Sequence, residues 1–439
     1  MVHAAQLWYD HLFLSHALIT HLFLLEGGAR SLYGDLSNVY MGTRTAKKAY
    51  PALYYGIGLT MEAINQNPVQ YAFMTDMAFS YDLDRKDITI LSRDDIDRAL
   101  TWPWISEYVQ RRYSLTSTES RNNVEYAWKL LWRNSYSGVV NCGNACCLRR
   151  AIIVLKPGLD LPLDTTIGAT SLVDAWEYIL KVEEKNQVNA YRYDVVDVTR
   201  QVLANIFIDV YKLFQAAYAR RDVESLKLTG AQLLDIIHSM DALLGTHSAY
   251  LLGKWLESAK HWGVTAAEKG LFEYNARNQL TLWGPNGEIN DYASKNWQGL
   301  VGSYYAKRWE LMIQSVISDV RADEVFNEEK YSELESKIGQ EFCAATDAYP
   351  TAEAGVTRNV SFTLQYHYGN LYQSLNKYEV VEGADVEGFD IIAAWTTNVR
   401  QLQYLCDVEP TCTGFTSHGY LKSSNKYTNN LNTTLYIKR

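Results

Sequence analysis

The stretch RQVLANIFIDVYKLFQAAYAR, from Arg200, constrains the fold more than any other part of the chain. Val202, Leu203, Ile206, Val210, Leu213, Phe214 and Ala217 recur at steps of three and four residues, which places them on one face of an α-helix. Such a face has to be buried against another element. AQLLDIIHSMDALLGT repeats the pattern with Leu233, Leu234, Ile237, Met240 and Leu244, and Gly245 follows as a C-cap. Together they predict an antiparallel helical domain. Helix follows helix from about 85 to 380, with no repeat of fixed period that would indicate a solenoid.

What precedes the helices reads differently. LYYGIGLTM, from Leu53, is too short and glycine-rich for a helix and predicts a strand, and Pro68 then opens a helical pattern, where its missing N–H costs nothing. A strand followed by a helix is a βα unit. In barrels built from such units the catalytic groups stand at the carboxyl ends of strands, which is where Glu62 falls. The last fifty or so residues turn to glycine, serine, asparagine and short alternating runs such as TTLYIK, predicting a small appended module.

A chain of 439 residues is long for a single core and predicts two or three domains. Its net charge of −9, with acids and bases interleaved throughout, argues against a nucleic-acid footprint and against an anionic membrane partner. The surplus is aromatic: 32 Tyr and 12 Trp. Their flat apolar faces and polar edges suit sugar binding, but most are expected to be helix-packing wedges. From Leu12, LFLSHALITHLFLL is apolar yet too short and too polar to span a bilayer. A signal sequence, a buried helix and a misassigned gene start all fit it.

Six cysteines form no paired zinc pattern, and the nine histidines show no HExxH or similar ligand spacing. No metal and no cofactor are expected. Cys406 and Cys412 can close a small loop, and the sequons at Asn359 and Asn432 favour a secretory compartment, although reduced, buried thiols in a cytosolic chain remain the alternative.

Chemistry is suggested at a second place, LTLWGPNGEINDYASKNWQGLVGSYYAKRW, from Leu280 to Trp309. Trp283 precedes a Gly-Pro-Asn-Gly turn, and Tyr292 and Trp297 follow in the same loop, so three aromatics are predicted beside backbone turns instead of on helix faces. Loop aromatics can stack on sugar rings. Equally, Trp283 can plug a gap between two helices.

This segment, with YRYDVVDVTRQ, LLGKWLESAK and GIGLTMEAINQNPVQY, resembles lysosomal α-N-acetylglucosaminidase and its bacterial and plant relatives, in the family's order, over roughly residues 27 to 350. The resemblance implies a metal-free retaining glycoside hydrolase that removes terminal α-linked N-acetylglucosamine from glycans such as heparan sulfate. It implies that Glu62 is the nucleophile and that Trp283, Ile289 and Tyr292 line the sugar pocket. It also implies a disulfide between Cys142 and Cys146 (or Cys147), and a lysosomal or secreted location. The expected partner is a glycan ending in N-acetylglucosamine; neither nucleic acid nor stable membrane insertion is expected, and the reading leaves room for a homo-oligomer. CDVEPTCTGFTSHGYLK resembles an apple-like or carbohydrate-binding-like module, with a disulfide-pinned tail as the alternative.

The departures bear on activity. Ala63 stands where the family has glycine, LLEGG at Leu24 replaces an asparagine-rich loop, and the first 25 residues do not match. A retaining glycosidase needs two carboxyl groups about 5 to 5.5 Å apart, one to attack and one to donate and then accept a proton. The family's acid/base glutamate belongs to an earlier barrel strand, upstream of the matched region. Glu26 is a weak substitute, and Asp76 is expected to be a solvated helix charge.

The expected architecture is mainly α: an all-helical domain preceded by a remnant of a (β/α)8 barrel, with a small disulfide-containing C-terminal segment. Its expected divisions are an unmatched apolar 1–25, a barrel remnant 26–84 carrying Glu62, an all-helical 85–385 and a small module 386–439.

Overall fold

The computed structural model describes residues 18–24, 32, 34, 36, 39–40, 54–61, 67–79, 102–136, 151–161, 163, 169–183, 188–375, 378–393, 402, 405–406, 409 and 411–438. The chain divides into two compact units, Met1–Thr363 and Leu364–Arg439. In the first, strands β1 (Leu18–Leu24) and β2 (Tyr54–Met61) pair in parallel. The buried-helix reading of the apolar N-terminus therefore fails at Leu18–Leu24, whose backbone bonds go to a neighbouring strand. Helices follow: α1 (Pro68–Phe79), α2 (Trp102–Tyr113), α3 (Thr118–Asn134), α4 (Ala169–Ile179), α5 (Asn189–Ala219), α6 (Val223–Leu244), α7 (Leu252–Lys260) and α8 (Ala266–Leu280). Next come α9 (Ala306–Arg321), α10 (Glu328–Ala344) and α11 (Thr357–Leu375). Among the described residues, no helix is long and apolar enough to cross a membrane.

Helix α5 is the axis of the first unit. Of its predicted apolar face, Val202, Leu203, Ile206, Val210, Phe214 and Ala217 are buried, whereas Leu213 is 36% exposed. Burial is not confined to one stripe, because α2, α4, α6 and a 3-10 turn (Ile152–Val154) all pack against this helix. Polar residues are enclosed with it and bonded: Thr199 Oγ1 lies 2.7 Å from Ser361 Oγ, and Gln201 Oε1 accepts from the Leu32 N–H at 2.9 Å. That follows from the cost of an unpaired buried polar group, about 1–3 kcal/mol. Gly245 caps α6 as expected but with ordinary right-handed dihedrals, so its lack of a side chain serves close approach: a Cβ would lie 3.2 Å from Gln298 Cγ.

Among the described residues, many tyrosines and tryptophans are packed in the interior. Phe73 on α1 meets Trp104 and Trp132 edge-on, Trp104 stacks on Tyr108, and Tyr108 meets Trp128. Asp76 is no solvated charge: its carboxylate accepts from Trp104 Nε1 and Arg111 Nη2, each at 2.8 Å, joining α1 to α2. Trp309, fully buried, touches Phe207 and Tyr211 of α5 with its ring and donates from Nε1 to the Ile153 carbonyl at 3.0 Å.

The second unit carries a five-stranded antiparallel sheet, in the order β3 (Tyr378–Asp385), β7 (Thr428–Lys438), β5 (Gly414–Thr416), β6 (Tyr420–Lys422), β4 (Asp390–Ala393). Cys406 and Cys412 form a disulfide within the small core of Leu402, Phe415 and Leu421. Lys422, nearly buried, sits among the carboxylates of Asp385 and Asp390 and the Val386 carbonyl. Asn432 lies within β7 and Asn359 is exposed on α11. Cys142, Cys146 and Cys147 lie outside the described residues.

Truncating Trp309 to alanine is expected to lower the unfolding free energy by about 3–5 kcal/mol, read from urea denaturation. An acid-sensitive link joins α5 to the segment before α11. Glu353 bonds Arg192 Nη1 at 2.7 Å and the Ser248 N–H at 2.8 Å, and these bonds, Arg192's first, hold its carboxyl at about 2, below the ordinary 4.5. A depressed carboxylate stabilises the fold fully above its unfolded value and loses that contribution as pH falls through the folded one. Glu353→Gln is therefore expected to flatten the acid limb of stability between about pH 4.5 and 2, followed by circular dichroism.

Candidate functional site

The barrel side of the site begins at the paired carboxyl ends of β1 and β2, where Leu24 and Met61 are register partners. Glu62 is the next position after Met61, but it lies outside the described residues, as does Glu26. Beyond it, Asn67 starts α1 and accepts from Tyr136 Oη at 3.0 Å. The Gly34 and Leu36 N–H groups donate to the Ser135 and Tyr136 carbonyls just after α3. A Cβ at Gly34 would sit 1.9 Å from Gln70 Oε1 and 2.9 Å from Tyr136 Cδ1, so a larger residue here would force those side chains to shift. The short barrel segment is thus stitched by its backbone to α3 and, through Leu32 and Gln201, to α5.

The helical side is the loop from 281 to 299. Helix α8 starts at a capping box, in which Thr265 and Glu268 satisfy each other's backbone N–H groups, and ends at Leu280. Asn278 on its last turn then folds the chain back. Its Nδ2 donates to the Gly284 carbonyl and its Oδ1 accepts from the Gly284 N–H, both at 2.8 Å, while its own carbonyl accepts from the Trp283 N–H at 2.7 Å. Trp283, Asp291 and Ser294 all hold left-handed dihedrals, with φ of 51°, 60° and 45°. Non-glycine residues in that region cost about 1 kcal/mol or more each and persist only where surroundings impose them.

The imposing group is a buried charge cluster. Arg308 on α9 is completely buried and donates from Nη1 and Nη2 to the two oxygens of Asp291 at 2.9 and 2.8 Å. Its Nε faces Glu335 Oε1 on α10 at 2.5 Å, a charge contact off the hydrogen-bond direction. Burial pushes the Asp291 carboxyl upward and Arg308 opposes it. With Asp291 held, the Tyr292 N–H reaches the Ile289 carbonyl at 3.1 Å, and the Tyr292 ring meets Trp283 edge-on at 5.1 Å. Both rings are half-buried, and Ile289 is 46% exposed.

Of the pocket residues read from sequence, the loop brings Trp283 and Tyr292 together and leaves Ile289 exposed beside them. Trp297 is not on display: it is 3% exposed and packs beside Trp255. Sequence reading passed over Arg308, Asp291 and Glu335, because single charges among many carry no periodic signal. It also missed Asp241 on α6, whose Oδ1 accepts from the Gly299 and Gly302 N–H groups, both at 2.7 Å, where the loop re-enters a helix. Asp291→Ala, which strands the Arg308 charge beside Glu335 alone, is expected to cost stability toward the low end of about 3–5 kcal/mol, with loss of the near-ultraviolet dichroism of the Trp283–Tyr292 pair.

The chain matches the family described as "Alpha-N-acetylglucosaminidase (NAGLU) C-terminal domain" over residues 104–366, and "Alpha-N-acetylglucosaminidase (NAGLU) tim-barrel domain" over residues 5–81. The barrel match reaches into the apolar N-terminus that contains β1. A human relative, alpha-N-acetylglucosaminidase, is 31% identical over 335 residues, which are 75% of this chain and 42% of that protein. Similar solved structures are of a family 89 glycoside hydrolase from Clostridium perfringens. One, with PUGNAc, has a TM-score of 0.64, is 24% identical, and covers 80% of this chain and 39% of that one. Another, with two glutamates changed to glutamine and bound to its substrate GlcNAc-alpha-1,4-galactose, has a TM-score of 0.67 at 24% identity, and covers 81% of this chain and 40% of that one. The chain thus spans about two fifths of the length of these relatives.

Proposed function

Because the chain belongs to the alpha-N-acetylglucosaminidase family, we propose that it contributes one half of a site that removes terminal α-linked N-acetylglucosamine from glycans, heparan sulfate among them. The observation that carries this reading is the Trp283–Tyr292 pair, which the Arg308–Asp291 bridge holds on a rigid loop without closing it off from solvent. Pre-set aromatic rings offer a sugar flat apolar faces without an ordering cost at binding. Ile289, exposed beside them, extends the apolar surface.

In this reading Glu62 attacks the anomeric carbon, and the leaving oxygen takes its proton from a second carboxyl group. A site built on a pair of carboxyl groups is supported by the substrate complex of the Clostridium enzyme, captured with two glutamates replaced by glutamine. The resemblance puts the family's acid/base glutamate upstream of the matched region. Proton donation is commonly worth about 10²–10⁴-fold in rate, so turnover by the chain alone is expected to be weak or absent. A lysosomal or secreted location agrees with the Cys406–Cys412 disulfide and with an exposed Asn359 as glycan acceptor.

The test is turnover and binding by the purified 439-residue chain. Release of aryl alcohol from an aryl α-N-acetylglucosaminide is expected to be slow and abolished by Glu62→Gln. Trp283→Ala is expected to weaken binding of GlcNAc-α-1,4-galactose by roughly tenfold or more, the worth of about 1.4 kcal/mol of ring stacking. Binding lost in the Trp283 variant with no turnover in the parent chain favours a glycan-binding role without catalysis. Absence of both binding and turnover overturns the reading.

A further inference from the structure

The aromatic loop returns to the helices at Gln298, and its fastening there leads back to one histidine. The Gln298 N–H donates to the Tyr250 carbonyl at 2.7 Å and the Gln298 carbonyl accepts from the Leu252 N–H at 3.1 Å, so the residues on either side of Leu251 bracket the loop end. Tyr250 closes a short 3-10 turn, Ser248–Tyr250, between α6 and α7. Glu353 accepts from the first N–H of that turn, Ser248's, at 2.8 Å. His247 caps it: the ring Nδ1 accepts from the Ala249 N–H at 3.1 Å, and the His247 carbonyl accepts from the Tyr250 N–H at 3.0 Å. On the other edge of the ring, Nε2 faces the Asn189 carbonyl of α5 at 3.3 Å. The residue is 2% exposed, and its ring lies edge-on to Tyr193 and Tyr250.

These two contacts fit one protonation state. An N–H aimed at Nδ1 needs a lone pair there, and a carbonyl at Nε2 needs a proton, which together define the neutral Nε2–H imidazole. A second proton would set Nδ1–H against the Ala249 N–H, two donors face to face. We propose that His247 is a positioning residue of the aromatic loop that works only as the neutral imidazole, so that acid loosens the Ser248–Tyr250 turn and with it the Gln298 end of the loop. On the sugar-binding reading of Trp283 and Tyr292, on which this consequence rests, glycan binding then weakens in acid. The surroundings set the direction. Burial, foremost, and the Arg192 and Lys254 cations hold the imidazole below its ordinary 6.5, against the Asn189 carbonyl and Glu353. Glu353 is bonded to Arg192 and held at about 2, so its charge is constant in mild acid. Because the folded value of His247 lies below the unfolded one, the unfolded chain takes the proton first. The cap's contribution is whole above about 6.5 and declines as pH falls through the folded value.

His247→Asn separates the cap from the proton. The asparagine Oδ1 stands as many bonds from the backbone as Nδ1, accepts an N–H at a helix start, and does not titrate. Amide exchange of the 439-residue chain, read by peptide mass over residues 248–252 and 294–302, is expected to match in parent and variant at about pH 7.5. At about pH 4.5 the parent is expected to exchange about fivefold faster than His247→Asn in both segments, the worth of one lost cap, while α6 keeps equal protection in the two chains. Binding of GlcNAc-α-1,4-galactose is expected to weaken by about the same factor in the parent and to hold in the variant. An exchange ratio that stays the same at both pH values overturns the inference, as does loosening of the two chains together. Should His247→Asn not fold, the parent decides alone: protection of the two segments relative to α6 that is unchanged over that range overturns it. Exchange as expected with no glycan bound at either pH leaves the latch in place and overturns the sugar-binding reading. Glycan bound equally at both pH values, with the exchange ratio unchanged, does the reverse.

Discussion

The guanidinium of Arg308 holds Asp291 with two bonds and faces Glu335 with its third nitrogen, all out of contact with solvent. A bidentate pair fixes direction as well as distance, so Asp291 stays in a left-handed conformation that its own backbone disfavours. Tyr292 follows it and is delivered to Trp283; Ser294 follows in turn and directs Lys295 inward. One ion pair between α9 and the loop thereby underlies a half-buried aromatic pair and a buried lysine on the same loop. Three of the six non-glycine residues with left-handed dihedrals among the described residues, Trp283, Asp291 and Ser294, fall in the stretch that carries the candidate sugar contacts.

The same economy governs how barrel and helices meet. Only two parallel strands are described from the barrel, and a pair of strands has little stability alone. What anchors the segment after them is backbone bonding to helix ends and side chains: Gly34 and Leu36 to the end of α3, Leu32 to Gln201. Phe73 and Asp76 on α1 then enter the aromatic cluster of α2 and α3. This attachment holds α1, the element that follows Glu62 in the chain, against the helical part.

Much of this was legible in the residues. The three- and four-residue spacing in α5 and α6, the strand-like run ending at Met61, Pro68 at a helix start, and the short Cys406–Cys412 loop each express a local rule that needs no distant partner. Trp283 and Tyr292 were legible because a Gly-Pro-Asn-Gly turn announces a loop. Asp76 and Trp297 were misread, one as a solvated charge and the other as a displayed ring, because their partners Trp104, Arg111 and Trp255 are distant in sequence or on another element.

The chain alone therefore determined its elements and the residue types available for sugar chemistry, through periodicity, turn chemistry and cysteine spacing, all of which act over a few residues. Only the tertiary structure decided which charges are buried and paired. Arg308 with Asp291 and Glu335, Asp241 with the Gly299 and Gly302 amides, and the buried Lys295 look like ordinary surface residues in the sequence. The reason is physical: the energy of a charge is set by the water it loses and the partner it meets, and both depend on chain segments tens of residues away.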